Sequence, residues 1–315
     1  MKTLKTAVIG VGHYGNYHAQ KYAALENSDL VAIVDSNPDR AAQIAEELGA
    51  TGLTDYRELI GKVDAVSVVV PTQYHYQIAK EFLENGTHTL VEKPITPSVD
   101  EAAKLTAIAN ANDLILQVGH LERFNPVVLA LEQDLREPKF IESNRVAPFS
   151  ARSTDVNVVL DLMIHDIDLI HGMVRSPVDE ISANGTPVIS EKIDIANARL
   201  QFANGCVANV TASRVGFKTE RLLRMFEQDA YISVDMHNRI LKVYRRTEGG
   251  SQTSRLPGVS VHEQAYEKGD ALMLEIEAFL ESCATGKPPV VSGDVAREAL
   301  DTAMRINQIM AANNG

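Results

Sequence analysis

Three groups of residues in this chain have types and spacings that could do chemistry. Gly10-Val11-Gly12-His13-Tyr14-Gly15 is a G-x-G-x-x-G, and Asp35 follows twenty positions after Gly15. Lys93 stands between Glu92 and Pro94. Asp161, His165 and Asp168 recur at i, i+4 and i+7, which puts three polar side chains on one face of a helix. A glycine loop that opens a helix offers backbone N–H groups to an anion. A lysine and a carboxylate-supported imidazole can hold or move a proton.

The glycine loop has the context that gives it meaning. An apolar run, Thr6–Ile9, precedes it, a helical pattern, Tyr14–Leu25, follows it, and Asp35 ends the next run, Leu30–Val34. This is the dinucleotide fingerprint. Its first glycine makes the turn, the second admits a pyrophosphate to the backbone, and the third lets helix and strand pack closely. The positive end of the helix faces the phosphates, with His13 and Tyr14 in the same loop. Asp35 can accept hydrogen bonds from ribose hydroxyls and would repel a 2′-phosphate. Ser36 brings no compensating charge, whereas Arg40 stands close by. The balance favours NAD over NADP.

Lys93 follows the apolar run Thr87–Val91, and ligands of open α/β sheets sit beyond the carboxyl ends of strands. Its ammonium there can hydrogen-bond a reacting hydroxyl and favour alkoxide character; a surface lysine before a turn is the alternative. The segment from Leu160 to His171 is otherwise apolar, so its helix is largely buried and its polar stripe faces solvent or a site. Asp161 can orient the imidazole of His165, whose reference pKa of ~6.5 lies near working pH. An ordinary helical ion pair would look the same. Either Lys93 or His165 can serve as the base. The chain has neither His-Glu-x-x-His nor paired cysteine ligands, so no metal is expected.

Such residues need a scaffold. Runs at Ala65–Val70, Thr87–Val91 and Leu114–Val118, with helical patterns at Pro38–Leu48 and Ser98–Asn112, continue the alternation begun at Thr6. Short runs, apolar on both faces, predict buried parallel strands with helical crossovers, a doubly wound Rossmann sheet over residues 1–120. From residue 121 a second domain begins. Helices are predicted at Pro126–Leu135 and Val159–Val174, with period-two strands at Phe140–Val146, Ala198–Phe202, Val207–Ala212, Arg221–Phe226, Tyr231–Val234 and Ile240–Tyr244. Asn204-Gly205 reads as a hairpin turn and Gly249-Gly250-Ser251 as a loop. Helices at Ala271–Cys283 and Asp294–Met310 close the chain, the last of which, about 292–313, can pack back on the first domain. The fold class is therefore α/β, a Rossmann domain followed by an α+β domain with a mostly antiparallel sheet.

Composition narrows the function. The 315 residues carry a net charge of −12, which argues against nucleic acid as partner. No apolar run is long enough to span a bilayer, and no cleavage site follows Met1–Gly12. Two cysteines, Cys206 and Cys283, fit a reducing compartment, so the cytoplasm is expected. In an acidic chain, Arg145, Arg152 and Arg214, with Lys218 and Arg221, hint at an anionic substrate; ordinary surface pairing is the alternative.

The fingerprint with Asp35, Val70-Pro71-Thr72 with His75, and Glu92-Lys93-Pro94 together resemble the Gfo/Idh/MocA oxidoreductase family, over nearly the whole chain. The resemblance implies a large open sheet in the second domain and a homodimer or homotetramer formed through it. It implies that Pro71 and Thr72 line the nicotinamide side, with His75 and Glu92 also at the cofactor, that Lys93 is catalytic and touches the cofactor, and that Asp161 and His165 are its catalytic partners across the cofactor. Asn157-Val158-Val159 stands where the family has glycines. Gly119 to Pro126, with Arg123 and Asn125, and Ser153 to Asp166, with Asp155 and Asn157, are similar to a branch that oxidises the 3-hydroxyl of UDP-N-acetylglucosamine. There a separate aminotransferase converts the ketone to an amine for a lipid A precursor. Arg123, Asn125, Arg152, Asp155, Asn157 and His165 are then substrate residues. Neighbouring branches oxidise the matching uronic acid or cyclitols, and one member binds a dinucleotide as a non-catalytic regulator.

Overall fold

The apolar runs of the first third become six parallel strands in a computed structural model that describes residues 3–150, 156–247 and 258–313. They are β1 (Leu4–Ile9), β2 (Ser28–Val34), β3 (Thr51–Leu53), β4 (Ala65–Val68), β5 (His88–Glu92) and β6 (Leu116–Gly119). The helices between them are α1 (His13–Ala24), α2 (Pro38–Leu48), α3 (His75–Glu84) and α4 (Val99–Ala111). The strand order is β3-β2-β1-β4-β5-β6, so the order reverses between β1 and β4, where a ligand crevice opens at the carboxyl ends. Asn37 caps α2 through its side chain, and Ser98 caps α4. Two elements go beyond the sequence reading. β3 has only three residues, and α3 starts without a side-chain cap, so neither leaves a start signal.

The second unit opens with α5 (Pro126–Leu131) and β7 (Phe140–Val146). A wide π turn at Val159–Met163 leads into α6 (Ile164–Val174). Then follow β8 (Val178–Thr186), β9 (Ile195–Phe202), β10 (Val207–Ser213), β11 (Glu220–Phe226), β12 (Ala230–Asp235), β13 (Ile240–Arg246) and β14 (Val259–Ala265). They make an eight-stranded sheet of order β14-β13-β12-β11-β7-β10-β9-β8. Its neighbours are antiparallel except β7 and β10, which are parallel. Gly205, at positive φ, turns the β9–β10 hairpin. Alternate residues, among them Leu200, Val210, Leu223 and Ile232, bury one face in a core shared with Ile164, Ile167 and Ile170 of α6. β8 and β14 were not foreseen: both are largely exposed edge strands without apolar alternation.

The chain ends in α7 (Ala271–Thr285) and α8 (Gly293–Asn313). One compact unit comprises Met1–Phe124 with Asp270–Arg297, the other Asn125–Gly269 with Glu298–Gly315. The sequence reading placed 121–315 together and let the last helix return. Here α7 is the returning element, because Ile276, Phe279 and Leu280 bury in the first core, while Ala299, Ala303, Ile306 and Met310 of α8 bury in the second. Gly249-Gly250-Ser251 lies outside the described residues. Among the described residues, no helix is long and apolar enough to cross a membrane.

Candidate active site

The fingerprint glycines meet three different demands. Gly10 has φ +87°, and a Cβ there would lie 2.6 Å from the Val69 carbonyl oxygen. A Cβ on Gly15 would lie 1.8 Å from the carbonyl oxygen of Gly10, so only glycine lets α1 pack this closely. Beside Gly12 there is open space, and the helix it opens has no side-chain cap, unlike α2 and α4. An anion is the natural partner for such amides. His13, Tyr14 and Ser36 are exposed around the loop. Asp35 is nearly buried at the end of β2. Its Oδ2 accepts from the Val11 N–H at 2.9 Å and its Oδ1 from the Asn37 N–H at 2.9 Å. Arg40 approaches the same Oδ2 at 3.7 Å. The loop, the bare helix end and the carboxylate fit a dinucleotide.

The ends of β4 and β5 bring up the next residues. Pro71 is exposed, and Thr72 and Lys93 are half-buried. His75, expected at the cofactor, is 1% exposed, with Nε2 2.7 Å from the Val70 oxygen and Nδ1 2.9 Å from the Pro94 oxygen. It therefore clamps these two segments from behind rather than presenting atoms to a ligand. Burial lowers its pKa, against those two carbonyl contacts. Glu92 is likewise turned inward: Oε1 lies 3.1 Å from His18 Nε2, and Oε2 accepts from the Lys93 N–H at 3.2 Å.

In the second unit, Asp161 lies in the π turn and His165 in the first turn of α6, both half-buried. Wide turns of this kind recur at functional sites. Asp168, expected on the same stripe, is buried at 1% exposure. Two of the expected substrate cations are corrected. Arg145 is buried and grips Asp166 with two bonds of 2.9 and 2.8 Å. Arg214 is buried against Asp194 at 2.8 Å and also donates to the Val156 oxygen at 2.8 Å. Both guanidiniums serve the interior, where a charge needs a partner. Asn125 caps α5 and donates to the Met236 oxygen at 3.3 Å. Asn157 accepts from the Val159 and Leu160 N–H groups and donates to Asn307 Oδ1 at 2.8 Å. Both amides hold local structure. Arg123 is half-buried on the turn Leu121–Phe124. Arg152 and Asp155 lie outside the described residues.

Sequence reasoning missed a largely buried polar set around Glu92, the residue before Lys93. His18 of α1, Glu92 of β5 and Glu275 of α7 bring one nitrogen and two carboxylate oxygens within 4.8 Å of one another. Nothing in their spacing could signal this, because three separate elements supply them. The nearest clue is Gly119, where a Cβ would lie 2.8 Å from Glu92 Oε1.

Comparison with known proteins agrees with this layout. Residues 4–120 match the model of an oxidoreductase family with an NAD-binding Rossmann fold, so the first unit is a dinucleotide-binding domain. Residues 134–231 match the Gfo/Idh/MocA C-terminal domain. The UDP-N-acetylglucosamine 3-dehydrogenase of Acidithiobacillus ferrooxidans is 39% identical over 98% of this chain and 98% of its own. Its solved structure superposes with a TM-score of 0.91, covering 99% of each chain. The scyllo-inositol 2-dehydrogenase (NAD(+)) of Bacillus subtilis is 25% identical over 99% of this chain and 93% of its own. The chain is an oxidoreductase of the Gfo/Idh/MocA family.

Proposed function

We propose that this enzyme uses NAD to oxidise the 3-hydroxyl of UDP-N-acetylglucosamine, or of a close sugar nucleotide, to a ketone. The observation that carries the substrate class is the full-length similarity to a UDP-N-acetylglucosamine 3-dehydrogenase. The chemistry is supported by Lys93 at the carboxyl end of β5, in the unit whose α1 terminus fits a pyrophosphate. Gly10, Gly12, Gly15 and Asp35 hold the dinucleotide, with His13, Tyr14, Ser36, Arg40, Pro71 and Thr72 around it. Bound there, the dinucleotide would supply the hydride acceptor. Lys93 hydrogen-bonds the reacting hydroxyl, and His165, oriented by Asp161, takes its proton. Arg123 carries part of the substrate's charge. The ketone then suits an aminotransferase, as in lipid A precursor synthesis. The two cysteines stand unpaired, in keeping with a cytoplasmic setting.

A homodimer or homotetramer through the eight-stranded sheet belongs to the same reading. Half-buried rings cross four strands there: Phe140 and Phe226 have centroids 5.7 Å apart, Phe226 and Tyr231 5.1 Å, and Tyr231 and Tyr244 5.6 Å. A continuous aromatic row is suited to burial against a second copy. The test of function is NADH absorbance on mixing the protein and NAD with UDP-N-acetylglucosamine, its uronic acid counterpart and inositols. Turnover of the first is expected. Turnover of inositols alone would favour the cyclitol reading suggested by the Bacillus subtilis relative, and no turnover would favour a regulator.

A further inference from the structure

Glu275 is a buried titratable group with no part in the reaction as read above. Its side chain is fully buried, and neither carboxylate oxygen has a hydrogen-bond partner among the described residues. Only its backbone is tied, by Gln117 Nε2 at 3.0 Å. An isolated charge in such a place is severely penalised, and the group neutralises instead. Its neighbour Glu92 is in the opposite position. Glu92 has His18 Nε2 on one oxygen and the Lys93 N–H on the other. His18 in turn is set by Ser67 Oγ, 3.2 Å from Nδ1, and Ser67 meets the Tyr22 hydroxyl at 2.8 Å. Gly119 leaves the space that the Glu92 carboxylate fills.

We propose that Glu92 and Glu275 hold one proton between them at neutral pH, resident on Glu275, and that Glu92, kept ionised, is a positioning residue for Lys93. Two carboxyls within 4.8 Å of each other, one fully buried and one half-buried, do not both ionise readily. Burial and then the charge of Glu92 push Glu275 well above the usual carboxyl range. Burial also opposes the charge on Glu92, but the hydrogen bond and charge of His18, then the charge and N–H of Lys93, bring it below that range. Among the described residues, Tyr22 of α1 would also feel a charge on Glu275. Burial raises its hydroxyl far beyond neutrality, so it does not compete for the proton.

The positioning half rests on Lys93 being catalytic; the proton pair does not, and the tests separate the two. In infrared spectra of the whole enzyme at neutral pH, a protonated-carboxyl band is expected that fades as pH rises and is missing from Glu275→Gln. A wild-type spectrum without that band overturns the pair, whether or not the variant folds. Melting temperatures give a second reading. A group with a raised folded-state pKa stabilises fully below its unfolded value and loses this as pH climbs through the folded one. Wild type should therefore fall progressively behind Glu275→Gln in melting temperature as pH rises above about 5; a constant gap overturns the pair. A rise in wild-type melting temperature with added Zn²⁺ or Mn²⁺, lost in Glu275→Gln, would make the set a metal site and also overturn it. For positioning, Glu92→Gln should lower kcat while leaving KM for the sugar nearly unchanged, and Glu92→Asp should restore part of it. An unchanged kcat with only a lower melting temperature makes Glu92 merely structural. If wild type turns over no substrate, the positioning half falls with the dehydrogenase reading, and the infrared and melting results still judge the pair.

Discussion

The two units use their conspicuous residues in opposite ways. In the first, the fingerprint glycines, Pro71 and Lys93 stand at the carboxyl ends of parallel strands, and few of them serve the core. In the second, Arg145 and Arg214, the charges most inviting to an anionic substrate, are bound to Asp166 and Asp194 inside the protein. In the G-x-G-x-x-G, Gly10 and Gly15 answer close packing of the loop, strand and helix, and that packing leaves the helix end beside Gly12 open to an anion. An arginine specifies only a charge, which a buried aspartate can use as well as a substrate can.

Function should therefore break most sharply at the half-buried Lys93 and His165 and not at the buried arginines. On the role proposed for Lys93 at the reacting hydroxyl, Lys93→Ala should lower turnover ~10²–10⁴-fold while NAD titration stays near wild type. Wild-type turnover would make Lys93 structural. His165→Asn should cost a similar factor and remove the pH limb of the oxidative rate. A slower enzyme that keeps the limb would instead make Lys93 the base and leave His165 to hold the sugar.

The arginines should answer with stability. Removing one partner of a buried ion pair costs about 3–5 kcal/mol, so Arg145→Met should lower the denaturant midpoint strongly. The protein that remains folded should keep its KM for the sugar nucleotide. A raised KM at unchanged stability would restore Arg145 to the substrate site. Asp194 extends the contrast to pH. Burial works against its charge, but the Ser190 hydroxyl and the N–H groups of Ser190, Ile189 and Val188 hold its pKa well below the carboxylate range. A depressed folded-state pKa stabilises above the unfolded value and is lost as pH falls. Wild type should then lose stability between about pH 4 and about pH 2 more steeply than Asp194→Asn, which starts less stable at neutral pH. Parallel acid curves would remove Asp194 from the account.

Legibility in the sequence followed the same division. The strands of the first unit were readable because both faces are buried and each run is apolar throughout; Ala65–Val68 is one such strand. Those of the second were readable where one face is buried and alternation results, as in Ile195–Phe202, and unreadable in Val259–Ala265, where nearly every side chain is exposed. The stripe of Asp161, His165 and Asp168 assumed an unbroken α-helix. The π turn at Val159–Met163 and the burial of Asp168 depend on packing that periodicity does not encode. His18, Glu92 and Glu275 converge from three elements, and no local pattern registers a tertiary meeting of that kind.

Cofactor choice is the smallest effect, and it tests whether a charge in the first unit can be read as simply as its glycines. Asp35 has two tasks: its carboxylate holds the N–H groups of Val11 and Asn37, and it sits 3.7 Å from the Arg40 guanidinium. Asp35→Ala would leave the buried Val11 N–H without that acceptor, a penalty of about 1–3 kcal/mol, and so weaken both dinucleotides. It would also release Arg40 toward a 2′-phosphate and abolish a like-charge contact worth about 1 kcal/mol in water. NAD binding should therefore fall more than NADP binding, and the preference should narrow about tenfold by titration. Asp35→Asn separates the two tasks, because the amide oxygen can still accept from a backbone N–H while the charge is gone. It should narrow the preference with a smaller loss of overall affinity. Arg40→Ala should act in the opposite sense and widen it. If neither Asp35 variant changes the ratio, Asp35 holds the loop and does not select the cofactor.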